Sequence, residues 1–231
     1  MSSTTSVGSR LVGVVPAAGY ATRLQPLRGS KEMSLIRGRP VMDYLIDRME
    51  RASCDEIRVV TRPEKTDVIA HAERRRLSVV TAYPSSVSES LLAGLDDVDP
   101  DDVVVFGFPD TIWEPADGFA QLVDQLEGFE VALGLFVGAE PERSDVVTFT
   151  ASGVVTSIEV KPRHPTSRWI WGCAAARRSA LDALGDDPEP GVVFASMCSE
   201  GAVVGVRLSE SFVDIGTHET LRDYMQRSEL P

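Results

Sequence analysis

Short apolar runs alternate with amphipathic stretches through the first half of this chain, and that alternation limits its fold more than any other feature. LVGVVPAA from Leu11 to Ala18, IRVVT, LSVVT and VVVFGF each have the length and character of strands buried on both faces. Between them, Val41, Met42, Leu45, Ile46 and Met49 recur at helical spacing, with Asp43, Asp47, Arg48 and Glu50 on the other side. Further helices are expected near Glu64 to Arg74, from about Val87 to Asp96 and over Ala116 to Leu126. Strand and helix in turn predict an α/β chain with a Rossmann-like mixed, mainly parallel sheet flanked by helices. VALGLFV, DVVTFT, VVTSIEV and WIWGCAA follow with few helices between them, so the second half is expected to add antiparallel strands. No repeat or long linker divides the chain, which reads as one domain over residues 10–231 after a polar, disordered leader over 1–9. The acidic stretches DDVDPDD and GDDPEP read as solvated turns.

A formal charge of -12 argues against a nucleic-acid partner, because phosphate backbones need a cationic face. Any anion must be held locally. Cys54, Cys173 and Cys198 are too widely spaced for a disulfide framework or a zinc site and read as buried small hydrophobes, with a reducing cytoplasm as the simplest compartment. No run has the length of a membrane span, and the N-terminal residues lack the apolar core of a signal peptide.

Ligands of α/β sheets gather at the carboxyl ends of strands, which directs attention to three loops. In PAAGYATRLQPLRGSK the small residues Ala17, Ala18, Gly19 and Ala21 let the backbone approach a ligand, and Arg23 and Lys31 bring cations. The loop is neither a GxxxxGK[ST] nor a GxGxxG motif, and a surface turn carrying two solvated charges is the plainer reading. Against it stands the scarcity of lysine: Lys31, Lys65 and Lys161 are the only three among 23 basic residues, and an ammonium serves where a compact charge beside one phosphate oxygen is wanted. In FPDTIW, Asp110 follows a buried strand and is placed either to hold Mg²⁺ or to cap a turn. In SFVDIGTHETL, Asp214 precedes Gly216 and a helix that Thr217 would cap.

Together these segments resemble the sugar-phosphate nucleotidyltransferases, also called nucleoside-diphosphate-sugar pyrophosphorylases, in a short single-domain form. The family loop AAGxGTRLxPLTxxxPK is matched at Ala17, Ala18, Gly19, Thr22, Arg23, Leu24, Pro26, Leu27 and Lys31. IEVKP resembles the EEKP element, WIWGCAA the sugar-binding strand, and FVDIGTHETL the DIGTPEDL segment, in order from about residue 11 to residue 225. The resemblance implies the nucleotidyltransferase fold and a cytoplasmic enzyme that condenses a nucleoside triphosphate, dTTP or UTP by preference, with a sugar 1-phosphate and releases pyrophosphate. It places the nucleotide on Ala17, Ala18, Gly19 and Thr22 with Tyr83 near the base, Arg23 and Lys31 on the triphosphate, and Mg²⁺ on Asp110 and Asp214, Asp110 also lying near the ribose. Lys161 would bind the acceptor's phosphate, with Gly172 against the sugar ring and Glu159 and Trp113 in the acceptor pocket. A homodimer is expected on general grounds only.

The chemistry agrees with this inventory. A phosphate oxygen is already anionic, so the obstacle is bringing two polyanions into line at the α-phosphorus, a task for cations rather than for a base. His71, His164 and His218 form no triad, and His218 stands where the family often has proline. Several departures bear on substrate. Ala21 replaces a glycine, Arg28 and Gly29 change the loop tip, and Ser30 replaces the proline before Lys31. Tyr83 stands where a glutamine often reads the base, and Val160 where a glutamate contacts sugar hydroxyls. Trp113, Trp169 and Trp171 either line an apolar acceptor pocket or pack in the core. Two alternatives follow: a cytidylyltransferase acting on a phosphorylated alcohol such as phosphocholine, and a regulatory module that binds a nucleotide sugar without turning it over.

Overall fold

In the computed structural model, which describes residues 9–21, 29–209, 211–216 and 220, the first apolar run becomes β1 (Leu11–Pro16). A hairpin of β2 (Leu35–Ile36) and β3 (Arg39–Pro40) leads into α1 (Met42–Arg51). β4 (Glu56–Thr61), α2 (Thr66–Arg74), β5 (Ser78–Thr81), α3 (Val87–Ala93) and β6 (Val103–Gly107) then alternate as expected. The second half adds β7 (Thr111–Trp113), α4 (Gly118–Asp124), β8 (Val131–Val137), β9 (Val146–Phe149), β10 (Val155–Glu159) and β11 (Trp169–Arg177). It closes with α5 (Pro190–Met197), β12 (Val203–Ser209) and β13 (Phe212–Asp214).

The large sheet runs β10-β9-β11-β6-β1-β4-β5, with β8 pairing β11 and β12. β1 is parallel to both β4 and β6, and β5 is parallel to β4. The expected antiparallel addition is present, since β11 runs against β6 and β8. Alternate residues serve the two faces. Val104 and Phe106 join Leu133, Trp171 and Phe194 in one apolar layer, whereas Val105 joins Leu45, Ile46, Phe119 and Phe136 in the other. α3 ends sooner than its pattern predicts because Gly94 lies directly on β1 and β4. A Cβ there would stand 2.7 Å from the nearest methyl of Val14.

Several elements were not expected from sequence, among them the β2–β3 hairpin and β7. PGVVFASM forms α5, whose apolar residues carry no one-sided period, and β12 adds to β8 in parallel. One expectation is corrected: Asp102, in the acidic stretch read as solvated, is 4% exposed. Its carboxylate accepts the Arg10 backbone N–H at 2.8 Å and Nε at 3.1 Å, fastening the start of β1 to β6. His71 meets Asp43 at 2.7 Å and joins α2 to α1, a packing role. Cys173 and Cys198 are buried and Cys54 is half-buried, all as free thiols. Burial pushes the Cys54 thiol up to about 12. No helix among the described residues is long and apolar enough to cross a membrane.

Beneath the loop that follows β1 lies a buried ion pair. Lys65 Nζ donates to the Ala17 carbonyl at 2.8 Å and to both Glu32 carboxylate oxygens, at 2.9 and 3.0 Å. Glu32 is fully buried. Burial holds its pKa above the usual carboxylate value even with Lys65 and Lys31 beside it. Taking one partner from such a pair strands a buried charge, so Lys65→Met should lower stability by about 3 kcal/mol in urea unfolding. A carboxyl with a raised folded pKa gives stability that is complete at low pH and lost as pH rises through that value. Without Lys65 the rise is larger, and the deficit of the variant should be greater at pH 8 than at pH 5. A deficit that is small, or equal at the two pH values, would show that the pair does not anchor the loop.

Candidate active site

Chain order reverses at β1: β4 and β5 extend the sheet on one side of it and β6 returns on the other. Parallel strands at such a switch point leave a crevice beyond their carboxyl ends. The loop after β1 and the loop after β6 both enter it. Lys31 Nζ donates to Asp110 Oδ2 at 2.7 Å across the crevice, with both side chains largely buried. Burial disfavours the ammonium, but Asp110 outweighs it, helped by Glu32 and Asp214, so the Lys31 pKa is raised.

Asp214 reaches the same place because β13 pairs with β7 in antiparallel register, Asp214 opposite Thr111, and because the Ile215 N–H donates to the Asp110 carbonyl at 2.8 Å. Asp214 Oδ1 also accepts the Gly216 N–H at 2.6 Å. Two carboxylates and a lysine therefore meet although Lys31, Asp110 and Asp214 are far apart in sequence. This all-oxygen donor pair fits Mg²⁺, which commonly takes one or two carboxylates and completes its shell with water and substrate phosphate. No group of three or more His, Cys, Asp or Glu side chains suited to a metal occurs among the described residues.

The small-residue loop keeps its backbone available. Ala17 N–H is bound to the Val60 carbonyl at 2.8 Å, whereas neither Ala18 nor Gly19 N–H bonds to another described residue. Its far end is pinned by Asp67, which accepts the Ser30 N–H at 2.8 Å and the Ser30 hydroxyl at 2.7 Å. Gly29 there has φ +95, in the left-handed region, and a Cβ on it would press on Asp67. Arg62 ties the loop to the segment after β5, donating from Nε to the Ala18 carbonyl at 2.8 Å and from Nη2 to the Pro84 carbonyl at 2.7 Å. Tyr20 and Tyr83 lie against that guanidinium, their ring centroids 3.9 and 5.6 Å from its carbon. Thr22 and Arg23 lie outside the described residues, as do Arg28 and His218.

The expected acceptor residues are placed on the other side of β6. Along one edge of β11, β6 pairs with residues 173–177 and β9 pairs at Ile170, so β9 and β10 lie beyond the end of β6. Lys161 follows β10 with φ +44 and pairs with Glu189 at 2.8 Å. Glu159 Oε2 accepts the Thr166 N–H at 3.4 Å, closing the intervening loop. Gly172 sits at a bulge in β11, where the register to β8 shifts, and a methyl on it would collide with the Phe212 ring. Phe108, two residues before Asp110, stacks on Trp171 at 5.6 Å and connects the two sides.

One expected acceptor residue is enclosed in the core and lines no pocket wall. Trp113 is 1% exposed and packs on Phe119 and Phe136 at 5.4 and 5.5 Å. The Arg48 guanidinium lies over its indole at 4.7 Å. The alternation of β7 turns it inward, which a three-residue strand does not announce in sequence. Trp171 is also in the core, at 5% exposure, and Trp169 is half-buried against Phe149. Asp145 was not expected at all. Its Oδ2 accepts the Trp171 indole N–H at 3.2 Å, while Oδ1 is buried without a hydrogen-bond partner. Burial raises its pKa against the pull of Lys161 and Trp171.

Known proteins resemble this chain in sequence and in fold. A glucose-1-phosphate thymidylyltransferase of Mycolicibacterium smegmatis is 28% identical over 174 residues, 68% of this chain and 57% of the relative. A protein named as a mannose-1-phosphate guanyltransferase in Sulfolobus acidocaldarius is 28% identical over 170 residues, 68% of this chain and 45% of the relative. The chain thus spans about half the length of the curated relatives it matches. In structure it is similar to a protein of Bacillus anthracis assigned as a glucose-1-phosphate thymidylyltransferase and solved with sucrose, with TM-score 0.83, 18% identity and 96% of each chain covered. A UDP-glucose pyrophosphorylase of Acinetobacter baumannii superposes with TM-score 0.79 at 15% identity, covering 96% of this chain and 94% of that one. At these identities the structural likenesses speak for the fold. The family model of the MobA-like NTP transferase domain matches residues 13–196, most of the sequence. The chain belongs to the MobA-like NTP transferase domain family.

Proposed function

We propose that this chain is a nucleotidyltransferase that joins a nucleoside triphosphate, dTTP and UTP among those it accepts, to a sugar 1-phosphate and releases pyrophosphate. The observation that carries the reading is the meeting of Lys31, Asp110 and Asp214 at the switch point, beside a loop whose Ala18 and Gly19 N–H groups bond to no other described residue. The thymidylyltransferase and guanyltransferase names among its sequence relatives both support a sugar 1-phosphate as acceptor, and the first supports dTTP as a donor.

Asp110 and Asp214 would hold Mg²⁺, which when bound supplies charge neutralisation at the phosphates. Lys31 exchanges its carboxylate partner for triphosphate oxygens as the nucleotide enters, and Arg23 is assigned to the same anion. Across the crevice, Lys161 leaves Glu189 for the phosphate of the acceptor. Its pair with Glu189 is half-exposed, so little is lost in the exchange. An oxygen of the acceptor phosphate then forms the bond to the α-phosphorus as the bond from that phosphorus to the bridging oxygen of the β-phosphate breaks, and pyrophosphate carries away the electron pair. No general base is required. The catalytic effect is positioning and electrostatic stabilisation of two polyanions.

The phosphocholine alternative drew on three tryptophans lining a pocket, and the burial of Trp113 and Trp171 removes that support. Turnover decides between an enzyme and a regulatory module. With Mg²⁺, dTTP or UTP and a panel of sugar 1-phosphates, coupled pyrophosphate detection should record steady release. Asp110→Asn and Asp214→Asn should each lower kcat by about a hundredfold or more, the scale of removing one stabilising group from a charged transition state. Near-normal rates in either variant would sink the metal assignment, and nucleotide binding without pyrophosphate from any acceptor would favour the regulatory module.

A further inference from the structure

We propose that Tyr20, Arg62 and Tyr83 form a platform that holds the nucleobase by its ring face, so that donor nucleotides are told apart only weakly by base. The inference rests on the reading of the cleft as a nucleoside triphosphate site. Among the described residues, four large hydrophobic side chains are exposed, and two of them are Tyr20 and Tyr83, at 64% and 69%. They come from different loops, after β1 and after β5, yet both stand over one guanidinium. Arg62 itself is 5% exposed. With Nε and Nη2 committed to the Ala18 and Pro84 carbonyls, its plane is held in place as a floor for the two rings.

The rest of the lining identifies what such a floor would carry. Tyr20, Lys31 and Arg62 border one cleft together with the Gly19 backbone, Glu64 and Asp67, and Tyr83 stands beside it over Arg62. A ligand that carries both a polyanion and a flat aromatic ring would meet a cation in Lys31 and a ring in Tyr20 there. Edge recognition of a base needs a donor and an acceptor side by side, as a carboxamide provides, whereas tyrosine has one hydroxyl at the tip of its ring. Two backbone carbonyls beside the platform already accept from Arg62. What the two tyrosines themselves offer the base is chiefly ring surface, and stacking tolerates any base because every base has a π-face.

Calorimetry on the full chain tests this with the Mg²⁺ complexes of dTTP, UTP, CTP and GTP and, as a ligand without a base, inorganic tripolyphosphate. The four nucleotides should bind within about tenfold of one another, and each should bind about tenfold or more tightly than tripolyphosphate, the scale of one stacked base. Tyr83→Ala, at an exposed position with no core contact to lose, should weaken all four by about 5- to 100-fold and leave tripolyphosphate unchanged. Tyr83→Phe should keep the parent affinities. A preference of more than about a hundredfold for one nucleotide that survives Tyr83→Ala, or unchanged nucleotide binding in that variant, would overturn the platform and leave the nucleotide site standing. If neither the nucleotides nor tripolyphosphate bind, the nucleotide reading itself fails and the platform goes with it.

Discussion

The contact between Lys31 and Asp110 is the one on which the rest of the cleft depends. It closes 79 residues of sequence with a 2.7 Å charge-assisted hydrogen bond between the loops that leave β1 and β6. Neither loop is part of the sheet, and the strands alone would leave both to wander. The ion pair spans the crevice, and β13 brings Asp214 towards it by pairing with β7. In a protein with net charge -12, this lysine is largely buried, and Asp110, with Glu32 and Asp214, holds it charged. In the proposed reaction that charge is in place before the phosphate arrives.

The same economy extends to the other lysines. Lys65 is committed to Glu32 and the Ala17 carbonyl under the loop, and Lys161 to Glu189 on the far side of β6. The two differ in burial, and that difference separates their roles. Glu32 is fully enclosed, so its pair with Lys65 would be costly to break and serves the fold. Lys161 and Glu189 are about half exposed, which makes their pair weak and exchangeable. Glu189 thus occupies, as a carboxylate, the partner position proposed for the acceptor's phosphate.

Much of this was legible in sequence because it follows local periodicity. β1, α1 and β4 through β6 are marked by apolar runs and by the spacing of Val41, Met42, Leu45, Ile46 and Met49. Asp110 is marked by its place at the end of a buried strand. Arg62 was not legible: a single arginine after a strand looks like a solvated charge, and its value comes from carbonyls 44 and 22 residues away. Asp145 lay hidden for the same reason, since its partner Trp171 is 26 residues distant. Trp113 was assigned to the acceptor pocket because its aromatic character says nothing of direction, and only the pairing of β7 with β13 shows which way it turns. Asp102 was taken for a solvated residue because its partner Arg10 is separated from it by nearly the length of the parallel half of the sheet.

If Lys31 guards the metal carboxylate until phosphates draw it away, its removal should have opposite effects on two ligands. Calorimetric titration of Lys31→Met, compared with the parent, measures both. The account predicts that Mg²⁺ alone binds more tightly to the variant, because Asp110 has lost its competing cation, while inorganic tripolyphosphate binds more weakly. A variant that binds Mg²⁺ no better than the parent, or tripolyphosphate no worse, would contradict it.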